Sequence, residues 1–367
     1  MYQHIVKPLL FRLDPERAHH LTIGALKLAG QLPGGAAALR AMYGVKAPPE
    51  LESELWGMRF SHPIGLAAGL DKNGQAVPAF SSIGFGFMEV GTVTPKGQPG
   101  NEQPRLFRLP SDEGLINRMG FNNEGAMEMA SRLSKIGRRP IPVAVNIGKN
   151  KATPNEQAAQ DYVQCIKLLY DHADLFVVNI SSPNTPDLRK LQHGDELAQL
   201  LAAVTAEMTA QRLKRDQSKS LPILVKIAPD MGQEELEQVV HTIMKSGVAG
   251  IIATNTTLSR AGLSHANANE AGGLSGKPLK DRSTAVIRSI YKLTEGKLPI
   301  IGSGGVFTAE DAYEKIRAGA SLVEIYTSLI YKGPAINAEL AHGLAALLRR
   351  DGFSHISQAV GADTGSS

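Results

Sequence analysis

From residue 64 onward the chain repeats one beat: a short apolar run, a polar turn, then a helical pattern. The runs are Ile64–Ala68, Phe85–Val90, Ile141–Ile147, Leu175–Ile180, Ile223–Ile227, Gly250–Ala253, Pro299–Ile301 and Leu322–Ile325. They are apolar at successive positions rather than alternating, as strands covered on both faces are. Helical periodicity fills most gaps, for example Ala158–Tyr170, Glu234–Lys245, Ser283–Leu293 and Ala309–Ala318. Eight strands alternating with helices over roughly 250 residues predict an α/β fold, a (β/α)₈ TIM barrel. A doubly wound open sheet is the other fold this beat allows.

Before the barrel the pattern changes. Ile5, Val6, Leu9, Leu10 and Leu13 form one helical stripe, and Asp14-Pro15-Glu16 is a helix start with Asp as N-cap. A second helix carries Leu21, Ala25, Leu28 and Leu32 on one face and stops at Pro33-Gly34-Gly35. The expected architecture is therefore a small N-terminal two-helix extension, residues 1–46, ahead of a barrel domain at 47–367. Glu54–Pro63 reads as a hairpin that closes one end of the barrel.

Charge sharpens this division. Residues 1–46 hold six basic and two acidic side chains, and the remaining chain holds 33 of each. A balanced body argues against gripped nucleic acid, whereas a basic amphipathic segment suits an anionic membrane surface or an apolar partner. Simple packing of the two helices on their own domain fits the pattern equally well.

In such a barrel the residues after each strand converge on one face. After Leu175–Ile180 come Ser181, Ser182, Pro183, Asn184 and Thr185, a hydroxyl-rich cluster that also reads as a capping turn. The other strand ends supply Gly69 to Gly74, Gly91 to Thr94, Asn146 to Asn150, Lys226, Thr254 to Thr257, Gly302 to Gly305, and Tyr326 to Ser328. Lysines, carboxamides and hydroxyls with almost no acids suit an anionic ligand rich in donors and acceptors. The Gly302-Ser303-Gly304-Gly305 turn falls where these barrels cradle phosphate.

No histidine or carboxylate cluster has metal-ligand spacing, so no metal is expected. The single cysteine, Cys165, lies inside a helix and reads as a structural thiol. No secretory signal or membrane-spanning run is present, which predicts a cytoplasmic protein of a bacterium-like cell. Demanding chemistry would then fall to a phosphorylated cofactor.

Several motifs, in order along nearly the whole chain, resemble the dihydroorotate dehydrogenases. They are Ala68-Gly69-Leu70-Asp71-Lys72-Asn73-Gly74, Asn117-Arg118-Met119-Gly120-Phe121-Asn122-Asn123, Asn146-Ile147-Gly148-Lys149-Asn150 and Asn179-Ile180-Ser181-Ser182-Pro183-Asn184-Thr185. Gly272-Gly273-Leu274-Ser275-Gly276 and Gly302-Ser303-Gly304-Gly305 complete the likeness. Ser182, where soluble members carry cysteine, and the helical extension resemble the membrane-associated, quinone-using class 2. The resemblance implies an FMN-binding barrel that oxidises (S)-dihydroorotate to orotate in pyrimidine synthesis.

It also implies roles. Ser182 is the base, with Thr185 and Phe121 on the proton's path. Asn117, Asn179, Asn184, Asn255 and Thr256 hold the pyrimidine, together with Lys72 and the Arg118-Met119-Gly120 turn. Ala68, Gly69, Leu70, Asp71, Lys72, Thr92, Asn146, Asn179, Lys226 and Thr254 contact the flavin. Gly276, Gly305, Tyr326 and Thr327 stand around its phosphate side. His19, Arg108 and Tyr326 face the quinone in a tunnel built by residues 1–46. The implied protein is a monomer, peripheral on the cytoplasmic face of the bacterial inner membrane, with a membrane quinone as acceptor. A tRNA dihydrouridine synthase is the rival FMN barrel. It would need a reactive cysteine by the flavin and a basic face, and Cys165 and the neutral body supply neither.

Overall fold

All eight expected runs form strands. In the computed structural model, which describes residues 2–137, 139–218 and 221–365, they are β1 (Ile64–Leu66), β2 (Phe87–Val93), β3 (Val143–Ile147), β4 (Leu175–Asn179), β5 (Ile223–Ile227), β6 (Gly250–Ala253), β7 (Ile300–Ser303) and β8 (Leu322–Ile325). Every neighbouring pair is parallel, and β8 closes on β1. The open-sheet alternative is thereby excluded.

The barrel interior follows the two-residue period of a strand. A lower layer consists of Phe87, Ala144, Val177, Leu224, Ile252, Ile301 and Leu322, all buried in one cluster. Gly65 completes it, because a Cβ there would lie 2.3 Å from the Phe87 ring. Two residues further along each strand stand Ala67, Glu89, Asn146, Asn179, Lys226, Thr254, Ser303 and Glu324. An apolar floor thus carries a mostly polar shelf. The expected hairpin, Ser53–Leu55 with Met58–Phe60, packs Leu55, Trp56 and Met58 beneath the floor. Trp56 Nε1 donates to the Ala249 carbonyl at 2.9 Å, fixing that plug.

A second sheet gave no local signal. Leu106–Leu109, Gly114–Asn117 and Gly273–Gly276 pair antiparallel, joining segments more than 150 residues apart. They stand at the opposite mouth of the barrel from the hairpin.

The extension contains α1 (Lys7–Phe11), α2 (Pro15–Gln31) and a third helix, α3 (Gly35–Tyr43), beyond the two expected. Asp14 caps α2, accepting from the N–H groups of Glu16 (3.0 Å) and Arg17 (2.9 Å). Glu16 is buried against Arg105, whose Nε and Nη2 donate to both its oxygens at 2.7–3.2 Å. Among the described residues, six of the ten exposed large apolar side chains, Ile5, Leu9, Leu21, Leu28, Leu32 and Met42, belong to this extension. No helix among the described residues is long and apolar enough to cross a membrane.

Candidate active site

One cavity, about 1160 Å³ of empty space counting its mouth, opens above the shelf. Ala67, Asn179, Lys226, Thr254, Ser303 and Glu324 border it from below. Lys72, Ser182, Asn184, Asn255 and Thr256 reach it from the loops after their strands, and Asn117 and Gly276 from the antiparallel sheet. Ser182 and Lys72, 110 positions apart in sequence, therefore face the same space.

Hydrogen bonds order the carboxamides. Asn146 Nδ2 donates to Glu89 Oε1 at 2.6 Å, while its Oδ1 accepts from Thr92 Oγ1 (2.5 Å) and Asn179 Nδ2 (3.2 Å). Asn255 Nδ2 donates to Ser181 Oγ at 2.9 Å and to Asn179 Oδ1 at 3.4 Å. Nearer the mouth, Asn184 Nδ2 donates to Asn117 Oδ1 at 3.2 Å, and Ser182 Oγ accepts the Asn184 backbone N–H at 3.2 Å. Among the described residues no imidazole or carboxylate bonds to the Ser182 hydroxyl.

Burial lowers the Lys72 ammonium to about 8, with Glu16 resisting and Arg105 assisting. His19 falls to about 3, mainly through burial and then through Lys72, so its ring is neutral at ordinary pH. No group of three histidine, cysteine or acidic side chains could hold a metal among the described residues. Cys165 is wholly buried, and burial pushes its thiol up, as suits a structural residue.

A second, apolar cavity lies under the extension, lined by Tyr2, Leu10, Phe11, Ala18, Leu26 and Ile330 among others. His19, Leu106 and Tyr326 border both spaces and form the wall between them. Arg108 also lines the apolar cavity, but its guanidinium closes the end of α1. It donates to the carbonyls of Leu10, Phe11 and Leu13 at 2.9–3.3 Å.

The model of the dihydroorotate dehydrogenase family matches residues 50–348. The chain belongs to the dihydroorotate dehydrogenase family. A relative from Deinococcus deserti, named dihydroorotate dehydrogenase (quinone), is 59% identical over 99% of this chain and all of its own length. Its counterpart of the same name from Deinococcus radiodurans is 55% identical over 98% of this chain and all of its own. The Eimeria tenella enzyme crystallised with ferulenol superposes with a TM-score of 0.87 at 40% identity, covering 96% of each chain.

Family motifs do not all turn their side chains inward. Met119, Gly120, Phe121, Gly69, Gly305, Tyr326 and Thr327 border the polar cavity with the residues above. Arg118 instead pairs with Glu270 at 2.7 Å and stacks on Phe107. Asp71 is buried and accepts the N–H groups of Gln75 and Ala76, both at 2.8 Å, a contact within its own turn. Leu70 borders the apolar cavity, and Thr185 Oγ1 is buried without a partner among the described residues.

The expectation of almost no acids needs correction. Glu89 and Glu324 stand on the shelf, flanking Lys226 Nζ at 2.6 Å and 3.3 Å. Their signal was present: each is a lone acid inside an otherwise apolar run, where an unpaired charge is costly.

Proposed function

We propose that this chain oxidises (S)-dihydroorotate to orotate and passes the electrons to a quinone, using FMN. The observation that carries this reading is the pair of cavities sharing one wall, polar above the barrel and apolar beneath the extension. The polar one suits the cofactor: Ser328 Oγ is buried without a partner at the phosphate-cradle end, and Lys72 and Lys226 supply cations. Lys72, Thr92, Asn146, Asn179, Lys226 and Thr254 would hold its ring, and Gly276, Gly305, Tyr326 and Thr327 its phosphate side. FMN would supply the redox chemistry there, as a two-electron acceptor between dihydroorotate and the quinone.

The protein's share is binding and proton handling. Asn117, Asn179, Asn184 and Asn255 offer both donors and acceptors to the imide edge of the pyrimidine, with Thr256 beside them. Ser182 takes the C5 proton. Since a hydroxyl is a weak base, that proton must move on, and Thr185, later in the same loop, holds a buried Oγ1 with no partner among the described residues. Phe121 borders the same cavity as Ser182, held in the left-handed region at φ 55°.

Residues 1–46 form the quinone tunnel, with His19 and Tyr326 at its inner wall. Their exposed apolar side chains and net positive charge favour peripheral attachment to an anionic leaflet on the cytoplasmic side. Each chain lines both cavities by itself, which supports reading the unit as a monomer. Dihydroorotate-dependent reduction of a quinone analogue, with fumarate and NAD as comparison acceptors, tests the assignment. Turnover with the quinone alone is expected, and preference for either other acceptor would overturn it.

A further inference from the structure

Lys226, Glu89 and Glu324 form a triad with side chains no more than 6% accessible. Two carboxylates about one ammonium, away from water, cannot both be ionised without leaving an uncompensated buried charge. The hydrogen bonds say which one is ionised. Glu89 receives three donors: Lys226 Nζ at 2.6 Å, Asn146 Nδ2 at 2.6 Å and the Ala68 N–H at 3.0 Å. Among the described residues Glu324 accepts only from Lys226, at 3.3 Å, and its Oε1 has no donor. A carboxylate rich in donors is held ionised, and one starved of them keeps its proton.

We propose that Glu89 and Glu324 share one proton, held on Glu324, so that the triad is neutral and Lys226 stays a fixed cation at the cavity floor. Glu324 is then a positioning residue, neither ligand nor base. Its link to cofactor binding rests on the reading of the cavity as a flavin site. The titratable groups facing Glu324 are Glu89 on β2 and Lys226 on β5. Burial and then the Glu89 carboxylate drive the Glu324 carboxyl well above its usual range, with Lys226 opposing. Burial works against the Lys226 ammonium, but the acidic pair beside it, taken together, outweighs burial and raises it. Were both acids ionised, the floor would carry net negative charge under a site for anionic ligands.

Infrared spectroscopy of the purified protein tests the proton directly. A carbonyl stretch from an un-ionised, buried carboxylic acid is expected, shifting in D₂O and absent from Glu324→Gln. Titration of FMN into the apoproteins then tests where the proton sits. The change Glu324→Gln mimics the protonated acid, whereas Glu89→Gln removes an ionised acceptor of three bonds. The FMN dissociation constant of Glu89→Gln should therefore exceed that of Glu324→Gln by about tenfold or more. A wild type with no acid band, or the reverse order of affinities, overturns the proposal. Failure of the wild type to bind FMN would sink the functional reading instead, and the infrared result would still decide the shared proton.

Discussion

Replacing Glu16 by alanine removes the carboxylate that the buried Arg105 guanidinium faces. Breaking a buried pair from one side costs about 3–5 kcal/mol, because the partner is left charged and unsolvated. Arg105 keeps its bonds to the Pro99 (2.7 Å) and Asn101 (2.6 Å) carbonyls, so the lower end applies, about 3 kcal/mol. Urea unfolding of the full chain measures this, and the paired change Glu16→Leu with Arg105→Met should recover most of it. Burial works to raise the Glu16 carboxyl, but hydrogen bonds and charge from Arg105 outweigh it and lower it. The pair's contribution is therefore full above the ordinary carboxyl range and fades as pH falls through the lowered value. Glu16 also supports the Lys72 ammonium, so the substitution should weaken orotate binding. A loss below about 1 kcal/mol, or a double variant as unstable as Glu16→Ala, would refute the reasoning.

Ser182→Ala should keep bound FMN and orotate affinity yet lose about 10²-fold or more in flavin bleaching by dihydroorotate; wild-type bleaching rates would remove Ser182 from its role. Orotate affinity should fall as pH rises through about 8, where the Lys72 ammonium loses its proton, and Lys72→Gln should flatten that profile. A slope that survives in Lys72→Gln would point to another group. Leu21→Glu with Leu28→Glu, on exposed positions of α2, should abolish sedimentation with anionic vesicles while leaving dihydroorotate to bleach the flavin. Undiminished sedimentation would put the membrane contact elsewhere.

The barrel was legible because its strands are buried on both faces, so runs such as Ile223–Ile227 stand out with no partner in view. Many of the residues following those runs, Lys72, Ser182 and Asn255 among them, border one cavity for the same reason. α3 was not, since Leu32-Pro33-Gly34-Gly35 reads as a stop and gives no sign that Gly35–Tyr43 resumes a helix. The sheet at the mouth escaped because Gly273–Gly276 finds Gly114–Asn117 only in three dimensions. Arg118 lies within a family motif, yet adjacency in sequence does not fix a side chain's direction, and Glu270 draws it outward. Glu89 and Glu324 stand within β2 and β8, so a pattern keyed to the residues after each strand does not reach them.

Because the interior alternates between floor and shelf, each strand offers a single side chain at the height of the chemistry. Dropping one residue from β2 upstream of Glu89 would swing that carboxylate towards the surrounding helices and aim Val90 at the cavity instead. Divergence at this level can therefore proceed by exchange of side chains but hardly by insertion or deletion. Changes of length are confined to the connections above and below, where new specificities could be grafted without disturbing the ring of eight.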